Sequence, residues 1–324
     1  MKMKNGIIIL LAAALGLSAC NRFEKGEGDM TYKIYKSDGK PKIQDGDYVK
    51  LNGIQTVETN TNPDSVMVNT YDNERPAFFA ISKSMFKGDL ASGLKLLGEG
   101  DSAVFKLNLD SMEKYSGQPK PKGLKSNIAS FTIKIEKVLH KGKDPDSIFD
   151  AKKRLFFEAE YKALNEKNKV VEPAKIAKYI ADNQLKVTTA PSGLQYVIAA
   201  PGNAERAVLT DTVLIDYTGQ FTNKKSNGSI NVFDTSDAKT AKEAGVFSES
   251  VQYVPRKLPL GQLPQGVVQG IQLIGVGGKI KMILPSRLGF GENGGGPINP
   301  FTPLVFDVEL KGIIKPGMEQ VLSK

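Results

Sequence analysis

The chain has 324 residues, with 44 lysines and arginines against 35 aspartates and glutamates, and a formal net charge of +9. That excess is thin for this length and no basic cluster carries interleaved aromatics, so nucleic acid is excluded as the expected partner. One cysteine rules out an internal disulfide, and with one histidine it makes no metal-ligand set, so no metal or other cofactor is expected.

Residues 1–19 read as a processing segment. Lys2 and Lys4 make a basic start, Ile7 to Leu17 an apolar run, and Leu17-Ser18-Ala19 a close of small residues before Cys20. The apolar run is too short for a permanent membrane-crossing helix, which needs about 20 residues. The segment resembles a bacterial lipoprotein signal. That resemblance implies cleavage before Cys20, lipidation of Cys20 and attachment to a membrane of the cell envelope through it. Asn21 after the cysteine points to the outer membrane, and which side of it the protein faces is left open. Residues 20–29 read as a flexible tether.

A first region, 30–141, carries strand signals at Thr31–Tyr35, Asp47–Leu51 and Asp64–Val68, and a short helical candidate within Phe86–Leu94. Asp101–Leu107 and Ser130–Glu136 alternate as half-buried strands do. In a second region, 142–187, the period becomes helical. Ile148, Ala151, Leu155 and Ala159 recur on one side, and a second helical piece follows from Pro173 with Ile176, Ala177, Ile180 and Leu185. This apolar stripe needs cover. Docking on a neighbouring domain and a homodimer formed through the helical linker are both open, as is a dimer through the N-terminal domain.

The third region, 188–324, has its best strands at Val208–Tyr217, Lys279–Leu284 and Leu304–Leu310, with one short helical candidate at Gly266–Ile271. The insertion between Asp234 and Pro255 holds helix formers from Ala238 before a stop at Gly245. The first and third regions echo each other: Gly93–Leu107 matches Gly270–Leu284, and Asp47–Leu51 matches Asp211–Ile215. The expected class is α+β, with two domains, each a curled antiparallel sheet around a short helix, joined by the helical linker.

The third region resembles FK506-binding-protein-type peptidyl-prolyl cis–trans isomerases. Ser192-Gly193-Leu194-Gln195-Tyr196, Val213–Gly219, Val232-Phe233-Asp234-Thr235-Ser236 and Leu258-Pro259-Leu260-Gly261 carry the likeness, followed by Val267–Ile271, Pro285–Gly291 and Leu304–Leu310. The resemblance implies a pocket for a substrate proline walled by Tyr217, Phe233, Val267, Val268, Phe290 and Phe306, floored by Ile271 and edged by Asp234. It gives catalytic roles to Tyr217, Asp234, Val268, Phe290 and Phe306, with the Val268 N–H holding a substrate carbonyl, and substrate contacts to Phe233, Leu258, Val267 and Ile271. Phe290 stands where the family usually has tyrosine, Ile271 where it has tryptophan, and Leu258 where an aromatic is common. The implied function is isomerisation of X–Pro bonds in envelope proteins, with proline-containing unfolded polypeptides as partners. A non-catalytic proline-peptide-binding or chaperone module is the alternative. In the first region, a degenerate isomerase-like copy on this reading, Gly53 falls near the slot of Tyr217 and Asn69 near that of Asp234.

Overall fold

The computed structural model describes residues 22–60 and 65–317. The expected signal 1–19 and the lipidation site Cys20 lie outside the described residues. The described chain divides into two compact units. One runs to Thr70 and resumes over Pro76–Phe149, and the other comprises Tyr71–Arg75 and the residues from Asp150 onward.

The N-terminal unit contains β1 (Glu24–Lys25), β2 (Thr31–Lys36), β3 (Tyr48–Thr59), β4 (Ser65–Asn69), β5 (Ala77–Ala80), α1 (Leu90–Leu94), β6 (Ser102–Asn108), α2 (Leu109–Ser116) and β7 (Leu124–Leu139). Its sheet has the order β1-β2-β6-β7-β3-β4, with β5 also paired to β3. The sequence alternation becomes alternate burial: in β6 Ala103, Phe105 and Leu107 are buried while their neighbours are half-exposed. The Asp89 carboxylate starts α1 by accepting from the Ser92 N–H at 2.8 Å. Gly93 lets that helix close onto the sheet, since a Cβ there would lie 2.8 Å from the Phe105 ring.

Helix α3 (Asp146–Asp182) is one continuous helix through Pro173, where the sequence suggests two pieces. Proline removes one rung of the ladder, but the turns beyond it are held from outside. Ile176 and Tyr179 are buried with Ile283 and Val305, and Ile180, Leu185 and Val187 pack at the margin. Ile283 and Val305 point away from the face of Met282 and Phe306, so the helix covers the back of the C-terminal sheet.

The C-terminal unit continues with β8 (Thr188–Thr189), β9 (Gln195–Ala200), β10 (Thr212–Lys224), β11 (Ile230–Thr235), α4 (Ala238–Glu243), β12 (Arg256–Pro259), α5 (Gln265–Gln272), β13 (Lys279–Leu284) and β14 (Leu304–Ile314). Its sheet has the order β11-β10-β14-β13-β9-β8, with β12 also paired to β10. This is the order of the first sheet, strand for strand. The registers agree as well: the pairing with the closing strand slips between Lys50 and Leu51 in β3, and between Leu214 and Ile215 in β10.

The expectation of curled sheets is corrected. Both sheets are open: one path ends at β1 and β4 and the other at β8 and β11, and no described pairing joins the ends. Alternation in a sequence reports which side of a strand is buried. Closure depends on strand tilt and shear between edges, which alternation does not encode. What stands is two sheet-and-helix regions and a helical segment.

Candidate functional site

The C-terminal core lies on one face of the sheet, where Val213, Ile215 and Phe221 of β10 meet Leu304, Phe306, Val308 and Leu310 of β14. Helix α5 covers this face closely because of two glycines one turn apart. A Cβ on Gly270 would fall 1.9 Å from Met282 Sδ, and one on Gly266 would fall 2.6 Å from Leu284 Cγ. Neither would fit. The approach buries Val267, Val268 and Ile271 against the sheet.

Gly219 stands opposite Phe306 on one side and Asp234 on the other. Its missing side chain makes room for two rings: a Cβ there would lie 2.6 Å from Phe233 Cζ and 3.0 Å from Phe306 Cε1. The Phe233 and Phe306 rings meet edge to face, 5.7 Å between centroids at 79°, and Phe221 lies 5.2 Å from Phe233. Consecutive residues of a regular strand face opposite sides. Here Gly219 pairs with Asp234 but Gln220 pairs with Val232, so Phe233 is the extra residue of a bulge. The bulge re-aims the strand and brings the Phe233 ring and the Asp234 carboxylate to one site.

The carboxylate joins a polar edge. The Tyr217 hydroxyl donates to Asp234 Oδ2, and Arg256 Nη2 lies 3.7 Å from Oδ1. The same guanidinium stands 5.8 Å from the centre of the Tyr217 ring. Burial, then the hydrogen bond and negative charge of Asp234, push the Tyr217 phenol well above its ordinary range. The phenol therefore remains a donor and the carboxylate its acceptor. Ser236 fixes the strand beneath them: its Oγ accepts from the Tyr217 N–H at 2.9 Å and donates to Asp216 Oδ1 at 3.0 Å.

Of the residues singled out from the sequence, Val267, Val268, Ile271 and Phe306 belong to one apolar cluster, with Tyr217, Phe233 and Leu258 packed against it and Asp234 at its edge. Phe290 is not brought into that cluster. It is 37 % exposed, on the loop beyond Ser286–Leu288, within 3.1 Å of where a Cβ on Gly295 would lie. The Val268 N–H already donates to the Pro264 carbonyl at 3.0 Å, so a substrate carbonyl would share that donor. Arg256, Gly219 and Phe221 were missed. Arg256 and Lys257 stand side by side as two surface-like cations, and only the pairing of β12 with β10 puts Arg256 opposite Ile215 and near Tyr217. The glycine between Tyr217 and Phe221 was the available signal for a close approach.

In the N-terminal unit, hydrogen bonds show which residues occupy the equivalent places. The Gly53 N–H donates to Thr70 Oγ1, whose hydroxyl donates to Asn52 Oδ1, both at 2.9 Å. This repeats the Tyr217–Ser236–Asp216 arrangement. Gln55 pairs with Val68 as Gly219 pairs with Asp234. Val68, not Asn69, therefore stands in the carboxylate's place, and Ala77 in that of Arg256.

Residues 203–311 match the model of the FKBP-type peptidyl-prolyl cis-trans isomerase family. The chain is 36% identical over 160 residues to the FKBP-type peptidyl-prolyl cis-trans isomerase FkpA of Aeromonas hydrophila, covering 49% of this chain and 53% of that protein. It is 28% identical over 251 residues to FkpA of Escherichia coli, covering 73% and 80%. The crystal structure of FkpA from Escherichia coli aligns at a TM-score of 0.42 and 26% identity, over 54% of this chain and 76% of that one. The chain spans about half the length of the first curated relatives it matches. The likeness to the FKBP-type peptidyl-prolyl cis-trans isomerase family thus lies in the C-terminal region of this chain, over residues 203–311.

Proposed function

We propose that the C-terminal unit catalyses cis–trans isomerisation of X–Pro bonds in other polypeptides. The observation that carries this is the meeting of the Phe233 and Phe306 rings beside a carboxylate that already holds a phenol. An amide resists rotation by about 18–20 kcal/mol because its C–N bond has partial double-bond character, and X–Pro bonds interchange over tens of seconds or longer unaided. At the twisted midpoint conjugation is lost and the amide is less zwitterionic. Apolar walls from Phe233, Phe306, Val267, Val268 and Ile271 favour that state over the planar amide, which water solvates better. Each 1.36 kcal/mol of such preference is worth about tenfold in rate. Asp234 orients the edge and shapes its field, and no proton transfer is asked of it.

In this reading residues 1–19 are removed, Cys20 carries lipid, 142–187 is a linker and 188–324 the isomerase domain, working on envelope proteins from the outer membrane; of the expected tether 20–29, Glu24–Lys25 is already paired into the N-terminal sheet. The unit at 30–141 is a degenerate copy without isomerase activity. Its Gly53, Val68 and Ala77 supply neither phenol, carboxylate nor guanidinium at the equivalent places.

The test is a protease-free isomerase assay on a short X–Pro peptide with the full chain, Asp234→Ala and Phe306→Ala. A rate enhancement that falls about tenfold or more in each variant supports the reading. Peptide binding without any enhancement in the parent would replace it with a proline-peptide-binding module.

A further inference from the structure

We propose that Asn168 and Glu172 of α3 are positioning residues for the apolar site, holding the two ends of the loop 286–301, which carries Phe290 and supplies Leu288 and Ile298 to the apolar cluster of Val267, Val268 and Phe306. The inference rests on the isomerase reading for its activity, but its geometry stands apart from it.

The two side chains are four residues apart, so they project from one face of the helix, a turn apart. At the start of the loop, the Glu172 carboxylate accepts from the Ser286 N–H and, at 2.9 Å, from the Ser286 hydroxyl. At its end, the buried Asn168 donates from Nδ2 to the Pro300 carbonyl at 3.0 Å. The next residue, Phe301, has φ 53°, a left-handed conformation that a bulky residue keeps only when its surroundings hold it there. Lys169 Nζ stands 5.7 Å from the centre of its ring.

Between these anchors the loop is tied to residues 73–75, where Asn299 Nδ2 donates to the Asn73 carbonyl at 2.9 Å and Arg75 Nη1 to the Gly296 carbonyl at 3.4 Å, and to itself. The Gly291 N–H donates to the Ser286 carbonyl at 2.8 Å, the Phe301 N–H to the Gly291 carbonyl at 3.0 Å, and the Gly294 N–H to the Phe290 carbonyl at 3.2 Å. A shift at either end therefore reaches the backbone of Phe290. The helix does not need these polar contacts to stay docked, because Ile176 and Tyr179 already bury themselves on Ile283 and Val305. A groove of 770 Å³ lined by Ile176, Ile180, Pro285 and Arg287 runs beside the anchors, so close apolar packing does not replace them there. The docking is apolar; the hold on the loop is polar.

The chain contains no tryptophan, so Phe290→Trp places its one tryptophan on the loop, excited selectively over the ten tyrosines at the red edge of the absorption band. The experiment uses the full chain with Asn168→Ala, Glu172→Ala, the double variant and Glu172→Gln, each with and without Phe290→Trp. The double variant is expected to lose roughly tenfold in kcat/KM on an X–Pro peptide, with a clear fall in tryptophan anisotropy. Glu172→Gln is expected to keep most of both, since an amide still accepts from the Ser286 N–H and bonds its hydroxyl. Unchanged anisotropy in the double variant would overturn the proposal, as would a Glu172→Gln variant as impaired as Glu172→Ala. If the double variant does not fold, Ser286→Ala, which removes one of the two Glu172 bonds, is read the same way. A parent without isomerase activity would end the functional reading, and the anisotropy would still decide whether the helix holds the loop.

Discussion

Tyr217 shows what one hydroxyl does at the site. Its bond to Asp234 leaves the carboxylate shared between a phenol and a guanidinium. Tyr217→Phe removes only the donor, and a single hydrogen bond is worth about 1 kcal/mol, so kcat/KM is expected to fall roughly fivefold with the fold intact. The same residue sets an alkaline limit. Its phenol is raised above the ordinary value of 10.0 in the folded state, so the folded chain holds that proton more tightly than the unfolded one. The contribution is fully present below that value and is lost as pH rises beyond it. Thermal melts from pH 8 to 12 are expected to fall less steeply in Tyr217→Phe than in the parent. Gly219 acts by absence. Gly219→Ala sets a methyl 2.6 Å from Phe233, and overpacking of this kind costs about 1–3 kcal/mol. The midpoint of urea unfolding and kcat/KM should drop together. At this scale the apolar members of the site were legible, because Phe233, Val267, Val268 and Phe306 occur in an ordered set of segments. The bulge at Phe233 and the reach of Arg256 were not, since both depend on the register between strands.

Helix α3 illustrates the element scale. The stripe through Ile176 and Ile180 announces an amphipathic helix, but Pro173 argues for a break, an interior proline costing about 3 kcal/mol. Tertiary burial offsets that cost, which no local pattern reports. Tyr179 is among the residues that provide it, with burial raising its phenol pKa. Tyr179→Ala is expected to destabilise the C-terminal unit by about 3 kcal/mol, read from chemical denaturation. Sheet shape was likewise beyond reach. The strands of β10 and β14 were evident in outline, yet nothing in Val213–Tyr217 or Leu304–Leu310 says whether the edges β8 and β11 meet.

For the whole molecule, the two apolar cores share no residue, and each unit carries a buried aspartate at a turn. Burial raises the pKa of Asp101, but the N–H groups of Asp38 and Gly98 and the Lys42 ammonium outweigh it and hold the carboxyl low. Asp211 is placed alike: burial raises it, while the Val208 N–H and Lys315 outweigh that effect. A depressed carboxylate contributes stability above its ordinary pKa of 3.8, and that contribution is lost as pH falls through the lower folded value. Acid unfolding should therefore reach both units, and Asp101→Ala is expected to lower only the transition of the N-terminal unit, seen by calorimetry at pH 7. Deleting 30–141 is expected to leave turnover of a short X–Pro peptide within about twofold of the parent, since the C-terminal unit's apolar core takes no residue from that stretch.

The shared strand order and the matching slips at Leu51 and Ile215 also bear on how the chain reaches its native state. Two interchangeable frameworks on one polypeptide allow a hairpin from one to be recruited by the other, a mispairing characteristic of repeat proteins. Such a trap is intramolecular, so dilution would not relieve it. Met282 and Phe105 fill the same place under their helices but differ in volume, so a strand recruited into the wrong framework would pack worse there than in its own.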